Sequence, residues 1–273
     1  MRNILITGCS SGIGLETAKT LKKNGIKVYP SARKEKDVKM LQSLGFEAFL
    51  IDVTKPEQIK TTLEKIIKND AKIDAVFNNA GFGQPGALED IKTEVLREQF
   101  ETNVFSLHEL TRQVLPYMRE QGYGKIIQHS SVLGLISLRF RGSYNASKYA
   151  IEGLADTLRL ELSNTKIFVS TINTGPVTSK FRDNAVKKFN QNVDQENSAF
   201  KKEYDTQLNT RLNDEKDNTP FNLPASSVAN IILKIMNTDK PKPRYYVTKA
   251  TYILGFFKRV LSTSILDKIL QKI

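Results

Sequence analysis

Short β-branched or apolar runs alternate with longer stretches of helical period along this chain. The runs are Asn3 to Thr7, Lys27 to Ala32, Glu47 to Asp52, Ala75 to Asn78, Lys125 to Ser130 and Ile167 to Asn173. Between them the apolar positions recur at three- and four-residue intervals, as in Thr17-Ala18-Leu21 and Ala150-Ile151-Leu154-Ala155-Leu158-Leu162. Strand and helix in alternation predict an α/β fold, a doubly wound parallel sheet with helices on both faces, because each parallel connection needs a crossover. Ligands of such sheets bind beyond the carboxyl ends of the strands.

Two segments break the alternation. Residues 180–222 are rich in Asn, Lys and Asp, with eight charges of each sign and few apolar residues, too few for a core of their own. They read as a mobile, partly helical insertion over the site, or as a surface loop. From Ile253 onward, positions 253, 257, 261, 265, 269 and 273 are apolar, with Lys258, Arg259, Lys268 and Lys272 on other faces. Ser262-Thr263-Ser264 divides this tail into two helices, Ser264 and Asp267 having capping-box spacing. Such a tail packs on its own protein or a dimer partner, lies on a membrane surface, or covers the cleft. The expected organisation is one domain over 1–248, including the insertion, and a basic amphipathic extension over 249–273.

Composition narrows the function. At 273 residues and 40% hydrophobic, the chain can bury a sizeable core. Its one cysteine, Cys9, allows no internal disulfide, and no Cys/His spacing suggests a metal site, which fits a reducing cytoplasm. The string Leu5-Ile6-Thr7-Gly8-Cys9 mimics a lipoprotein cleavage box. However, the apolar run before it is only Ile4-Leu5-Ile6, against the ~7–15 residues of a secretory signal. The net charge of +12 is concentrated at the C-terminal end, where residues 240–273 carry +7. That placement argues against a nucleic-acid groove through the body and keeps peripheral membrane contact open.

The chemistry gathers in two constellations. Gly8, Gly12 and Gly14 form G-x-x-x-G-x-G after the first strand, where a glycine turn and the next helix, starting near Ile13, can bring backbone N–H groups to a pyrophosphate. Far along the chain, Tyr144 and Lys148 lie four apart on one predicted helical face, and Ser131 ends the fifth strand. An ammonium beside a phenol favours the phenolate, so Lys148 could tune Tyr144 as a general acid or base.

These residues resemble the short-chain dehydrogenase/reductase family. The match extends to Asn78-Asn79-Ala80-Gly81, Asn103, Ser130-Ser131-Val132-Leu133-Gly134 and Gly175-Pro176-Val177, and runs in order from about Met1 to Val247. The resemblance implies a catalytic set of Asn103, Ser131, Tyr144 and Lys148. Tyr144 would exchange the proton, Ser131 would orient the reacting oxygen, Lys148 would also hold the nicotinamide ribose, and Asn103 would position a relay water. The implied cofactor-binding residues are Gly8, Ser10, Ser11, Gly12, Ile13, Gly14, Arg33, Asp52, Val53, Asn79, Ala80, Gly81, Tyr144, Lys148, Gly175, Val177 and Ser179.

A family member specific for NAD would carry Asp at position 32, whereas this chain has Ala32 followed by Arg33, which favours NADP(H). Thr174 and Ser179 depart from the family's usual Pro and Thr; Thr174 loosens a turn that proline would stiffen. Gly175-Pro176-Val177 and the long tail resemble the branch with retinol and hydroxysteroid dehydrogenases. The expected activity is hydride transfer between NADP(H) and a hydrophobic carbonyl or alcohol, by a homodimer or homotetramer. The alternatives are a 3-oxoacyl-type carbonyl reductase and a non-catalytic NADP-binding sensor or scaffold.

Overall fold

The computed structural model describes residues 1–208 and 219–273, and part of the 180–222 insertion therefore lies outside the described residues. Seven parallel strands form one sheet in the order β3-β2-β1-β4-β5-β6-β7. They are β1 (Asn3–Ile6), β2 (Lys27–Ala32), β3 (Phe49–Leu50), β4 (Ala75–Asn78), β5 (Gly124–Ser131), β6 (Ile167–Thr174) and β7 (Arg244–Tyr246).

Alternation along each strand divides the core in two. Ile4 and Ile6 of β1 point to one face and Leu5 to the other; β4 repeats this with Ala75 and Phe77 against Val76, and β5 with Ile127 against Ile126. On the first face pack α1 (Gly12–Lys23) and α2 (Glu35–Ser43), together with α8 (Ser226–Asn237). The other face is covered by α3 (Pro56–Asp70), α5 (Ser106–Gln121) and α6 (Gly142–Glu161). Between α3 and α5 runs α4 (Thr93–Phe100), and α7 (Phe181–Asn192) follows β6. Burial on both faces explains why β1 is apolar at three successive positions instead of alternating with polar residues.

The sheet differs from the expected six strands at its two edges. Phe49–Leu50 is all that pairs of the predicted run Glu47 to Asp52. Ile51 N–H still bonds Ala32 O at 3.0 Å, but Asp52 N–H turns to Gln58 Oε1 at 2.7 Å, so the chain leaves the edge for α3. The seventh strand is only three residues long and follows Pro241 and Pro243, too short for periodicity to reveal.

The described part of the insertion is partly helical and packs on the body of the domain. Phe189 and Tyr204 are fully buried, and they pack with Ala87, Val193, Phe140 and Phe200 in a small aromatic cluster. The Tyr204 hydroxyl accepts from Ala87 N at 2.8 Å and donates to Asp90. A core too small for the insertion alone is thus completed by residues from 86–91 and Phe140.

The tail forms α9 (Lys249–Val260) and α10 (Thr263–Leu270), divided where the sequence predicted. The cap is displaced from the predicted Ser264: Ser262 is the N-cap of α10 and makes no side-chain capping bond. Leu266 and Leu270 are buried against Val132, Leu133 and Ile136. Thus one face of the tail packs on its own protein. Among the described residues, no helix is long and apolar enough to cross a membrane.

Leu63 of α3 is 1% exposed in the second core. Leu63→Ala should lower unfolding free energy by about 2–5 kcal/mol through lost burial and a residual cavity. Urea denaturation would show a lower midpoint at unchanged slope; an unchanged midpoint would contradict this packing.

Candidate active site

The chain order reverses between β1 and β4, and their carboxyl ends open on a cleft of about 1470 Å³. A crevice at such a reversal is where this architecture accepts ligands. Every sequence-predicted site residue except Asn103 lines it.

The glycine turn forms one end. Gly8 has φ 72°, in the left-handed region, and a Cβ there would lie 2.9 Å from Ala80 Cα. A Cβ on Gly14 would lie 2.4 Å from Gly8 O and 2.6 Å from Asn79 Nδ2. Any side chain at either place would force the strand ends apart. Helix α1 begins at Gly12 with Ser11 as its N-cap and no side-chain capping bond. Its first N–H groups and the empty volume beside the glycines suit a pyrophosphate. A dinucleotide therefore fits the residues present.

Asn79 fastens this turn to β4. Its Nδ2 donates to Thr7 O at 2.9 Å and Gly8 O at 3.1 Å, while Thr7 Oγ1 accepts from Asn79 N and Ala80 N at 3.1 and 3.0 Å. Farther along the cleft, Arg33 is exposed at the end of β2, next to Ala32 and Lys34. Asp52 Oδ1 accepts from Thr54 N and Thr54 Oγ1 at 3.1 and 2.8 Å, which fixes the carboxylate at the start of α3. Val53 lies beside it on the same wall. Cys9 is fully buried, and desolvation pushes its thiol up to about 12, so it is an inert packing residue.

Ser131, Tyr144 and Lys148 meet at the centre. Ser131 Oγ accepts from Leu133 N at 3.1 Å and donates to Thr174 O at 3.3 Å. Tyr144 lies beside Ser131 at the cleft and packs against Phe181 of α7, with ring centroids 5.3 Å apart. These two hydroxyls can present two hydrogen bonds to one oxygen.

The electrostatics differ from the sequence expectation. Desolvation raises Tyr144 to about 12, with the nearby Ser131 hydroxyl and the charge of Arg141 pulling the other way. Lys148 Nζ donates to His129 O at 2.6 Å and lies 5.4 Å from the Tyr144 ring centroid. Burial brings Lys148 itself down to about 8, partly countered by Glu152. Desolvation thus outweighs the contributions of Ser131 and Arg141 that favour the phenolate, and the phenol stays protonated.

Asn103 lies behind the cleft in a π-helical turn, Glu101–Phe105, joining α4 and α5. Its side chain accepts from Phe82 N at 3.0 Å and donates to Phe82 O at 2.9 Å and Ser147 Oγ at 3.2 Å. The amide therefore fixes the loop after β4 against α6. Several residues that the sequence reading missed complete the site: His129 beside the floor, Phe181 against Tyr144, and Phe82 and Leu138 on the wall. No local motif marked them, because contacts between distant segments bring them there.

The family described as short chain dehydrogenase matches residues 2–190. This chain belongs to that family. It is 40% identical over 271 residues to the uncharacterized oxidoreductase YbbO of Escherichia coli, covering 99% of this chain and 94% of the relative. It is 38% identical over 185 residues to a 3-ketodihydrosphingosine reductase of Bacteroides thetaiotaomicron, 66% of each chain. Among solved structures, an actinorhodin polyketide ketoreductase with NADPH aligns at a TM-score of 0.75 and 27% identity, over 93% of this chain and 97% of that one. The protein is thus an oxidoreductase of the short-chain dehydrogenase type that uses a nicotinamide dinucleotide.

Glu152 offers a test of the site's electrostatics. Its carboxylate holds the Lys148 ammonium up, so Glu152→Gln should lower the lysine below about 8. Charge at Lys148 would then be lost at lower pH, and the alkaline limb of the kcat/KM profile should move toward acid. Profiles of wild type and variant, with folding checked by circular dichroism, would detect this; coincident limbs would disprove the coupling.

Proposed function

We propose that this dehydrogenase uses NADP(H) to interconvert a carbonyl and an alcohol on a hydrophobic, lipid-like substrate. The observation that carries this reading is the Ser131–Tyr144 pair in a cleft with an apolar wall of Leu133, Leu138, Phe181, Ile253, Leu254 and Phe257. Two hydroxyls hold a polar oxygen there, and the wall holds what is attached to it.

With its pyrophosphate held at the glycine turn, a nicotinamide dinucleotide would supply or accept the hydride from its ring beside Ser131 and Tyr144. In reduction, Tyr144 starts protonated across neutral pH, as its raised value requires, and donates to the substrate oxygen. Ser131 donates a second hydrogen bond to that oxygen and offsets its developing charge. Lys148 holds the ribose beside Tyr144, and Asn103 keeps the Phe82 loop in register with both. The glycine turn with Ser10, Ser11 and Ile13 takes the pyrophosphate. Asp52 and Val53 take the adenine, Asn79 to Gly81 the adjoining ribose, and Gly175, Val177 and Ser179 the carboxamide end.

The preference for NADP(H) follows from Arg33 and Lys34 on the wall where Ala32 supplies no carboxylate to oppose a 2′-phosphate. The complete Ser131, Tyr144 and Lys148 set argues against a sensor or scaffold. A long-chain 3-oxo compound is the favoured form of the substrate, consistent with the named activity of the Bacteroides relative; retinoid and steroid carbonyls suit the same wall. Exposed Phe105, Leu154 and Leu160 around α5 and α6 offer an apolar surface for a homodimer or homotetramer.

Peripheral membrane contact fits the outer face of α9. Tyr252 and Phe256 are 59% and 60% exposed, and exposed Val260 continues the stripe near Lys249 and Arg259. An anionic lipid surface complements this combination of apolar and basic groups.

Oxidation of NADPH over long-chain 3-ketones, retinal, steroid ketones and short polar ketones tests the catalytic reading. Turnover should rise with chain length, and Tyr144→Phe should lower kcat by at least ~10²-fold. Turnover of short polar ketones alone, or a variant equal to wild type, would reject it. Sedimentation with phosphatidylglycerol vesicles tests the membrane contact: binding should weaken with salt and in Phe256→Ser, and salt-insensitive absence of binding would dismiss it.

A further inference from the structure

We propose that His129, which carries no proton or hydride in the reaction, is a positioning residue that ties the cofactor loop after β6 to the glycine turn after β1. This rests on the reading of the cleft as a nicotinamide dinucleotide site. His129 lies outside every recognised motif of the chain.

His129 and Ser131 lie two apart on β5, so their side chains share one face of the sheet. The His129 ring packs against Phe77 at 5.6 Å between centroids. Its Nδ1 is 3.0 Å from Asn79 Oδ1 and its Nε2 is 3.3 Å from Thr174 Oγ1. The direction of these bonds is determined by the partners. Asn79 uses its Nδ2 on Thr7 O and Gly8 O, so its Oδ1 can only accept, and Nδ1 of His129 carries the proton. Nε2 is then an acceptor for the Thr174 hydroxyl, whose single proton is shared with Ser130 O, also at 3.3 Å.

Burial and the neighbouring Lys148 hold the imidazole down to about 3, so this donor–acceptor pattern persists at working pH. One neutral ring therefore spans three strand ends: Asn79 after β4, its own β5, and Thr174 at the end of β6. Through Asn79 it reaches the glycine turn, and through its own carbonyl it seats Lys148 Nζ at 2.6 Å.

Thr174 begins the segment that runs through Gly175, Pro176 and Val177 along the cleft. Its hydroxyl is the feature that His129 can hold, and a hydrogen-bonded side chain restrains the start of that loop where no proline ring does so. Loss of either partner should loosen the loop and weaken cofactor binding, with less effect on turnover once cofactor is saturating.

The test measures NADPH affinity by fluorescence titration in His129→Phe, Thr174→Val, Thr174→Ser and the double variant, with thermal unfolding recorded for each. Wild-type binding of NADPH tests the dinucleotide reading itself, so its failure is distinguishable from failure of the His129 proposal. His129→Phe keeps a ring and removes both bonds; Thr174→Val keeps the shape and removes the hydroxyl. Each should raise Kd on the order of ten-fold, by more than kcat falls at saturating NADPH. The double variant should be no weaker than the weaker single one, because both remove the same link. Thr174→Ser, which keeps the hydroxyl, should bind more tightly than Thr174→Val. Multiplicative effects in the double variant, or Thr174→Val with wild-type affinity, would overturn the proposal. So would a loss of thermal stability with unchanged Kd. Should His129→Phe fail to fold, the contrast between Thr174→Val and Thr174→Ser decides.

Discussion

The site depends on how closely the ends of β1 and β4 approach each other. Asn79 donates to two carbonyls of the first turn, and Thr7 receives two N–H groups from the second. Four hydrogen bonds replace the water that these backbone groups would otherwise need, and they work only where Gly8 and Gly14 add no Cβ. The cleft thus has a floor of backbone instead of side chains. Tight packing of that floor leaves the first N–H groups of α1 directed into the crevice, where an anion can meet them.

A second constraint is the desolvation of charge at the centre. Lys148 is 6% exposed and Glu152 7%, one helical turn apart on α6. Glu152 accepts from Asn173 Nδ2 at 2.7 Å and from Arg244 Nε at 3.0 Å, and Arg244 also pairs with Asp156. The carboxylate is thereby supplied with partners on β6 and β7, while Lys148 receives a carbonyl and the field of Glu152. A buried ammonium with so few partners sits close to neutrality, unlike a solvated lysine, and can lose or gain its proton in a working range. The Tyr144 phenol beside it is shifted the opposite way by the same desolvation, since for a phenol the charged form is the deprotonated one.

This balance marks the boundary of what could be read from sequence. Alternating runs revealed the two-faced sheet because burial on both sides writes itself into every strand, as in Ile4, Leu5 and Ile6. Gly8, Gly14, Tyr144 and Lys148 were legible for a related reason: their spacing is set by one turn and one helix. The side-chain role of Asn103 was not, because its partner is Phe82, in another segment. His129 meets Asn79 and Thr174 from 50 and 45 residues away, and Tyr204 reaches Asp90 across 114. Only the assembled sheet brings such pairs together. Edge strands β3 and β7 were blurred for the converse reason, being too short to carry a period.

The tail shows how packing and specificity can be one feature. Leu254 and Phe257 of α9 rest against Val132 and Leu133, which immediately follow Ser131, and the same two residues line the cleft. Buried Leu266 and Leu270 of α10 anchor the arrangement, each contributing about 1.5–3 kcal/mol by removal from water. At its start, Thr248 caps α9 by accepting from Thr251 N at 3.3 Å. A Cβ on Gly175 would lie 2.1 Å from Thr248 Oγ1, so the helix cap and the loop after β6 occupy adjoining space. A change in how α9 seats would therefore reach the apolar wall, the support of Ser131 and the loop beside Thr174 together. The apolar wall and the floor of the cleft are parts of one packed unit, so the contacts that seat α9 also hold Ser131 and the loop beside Thr174 in place.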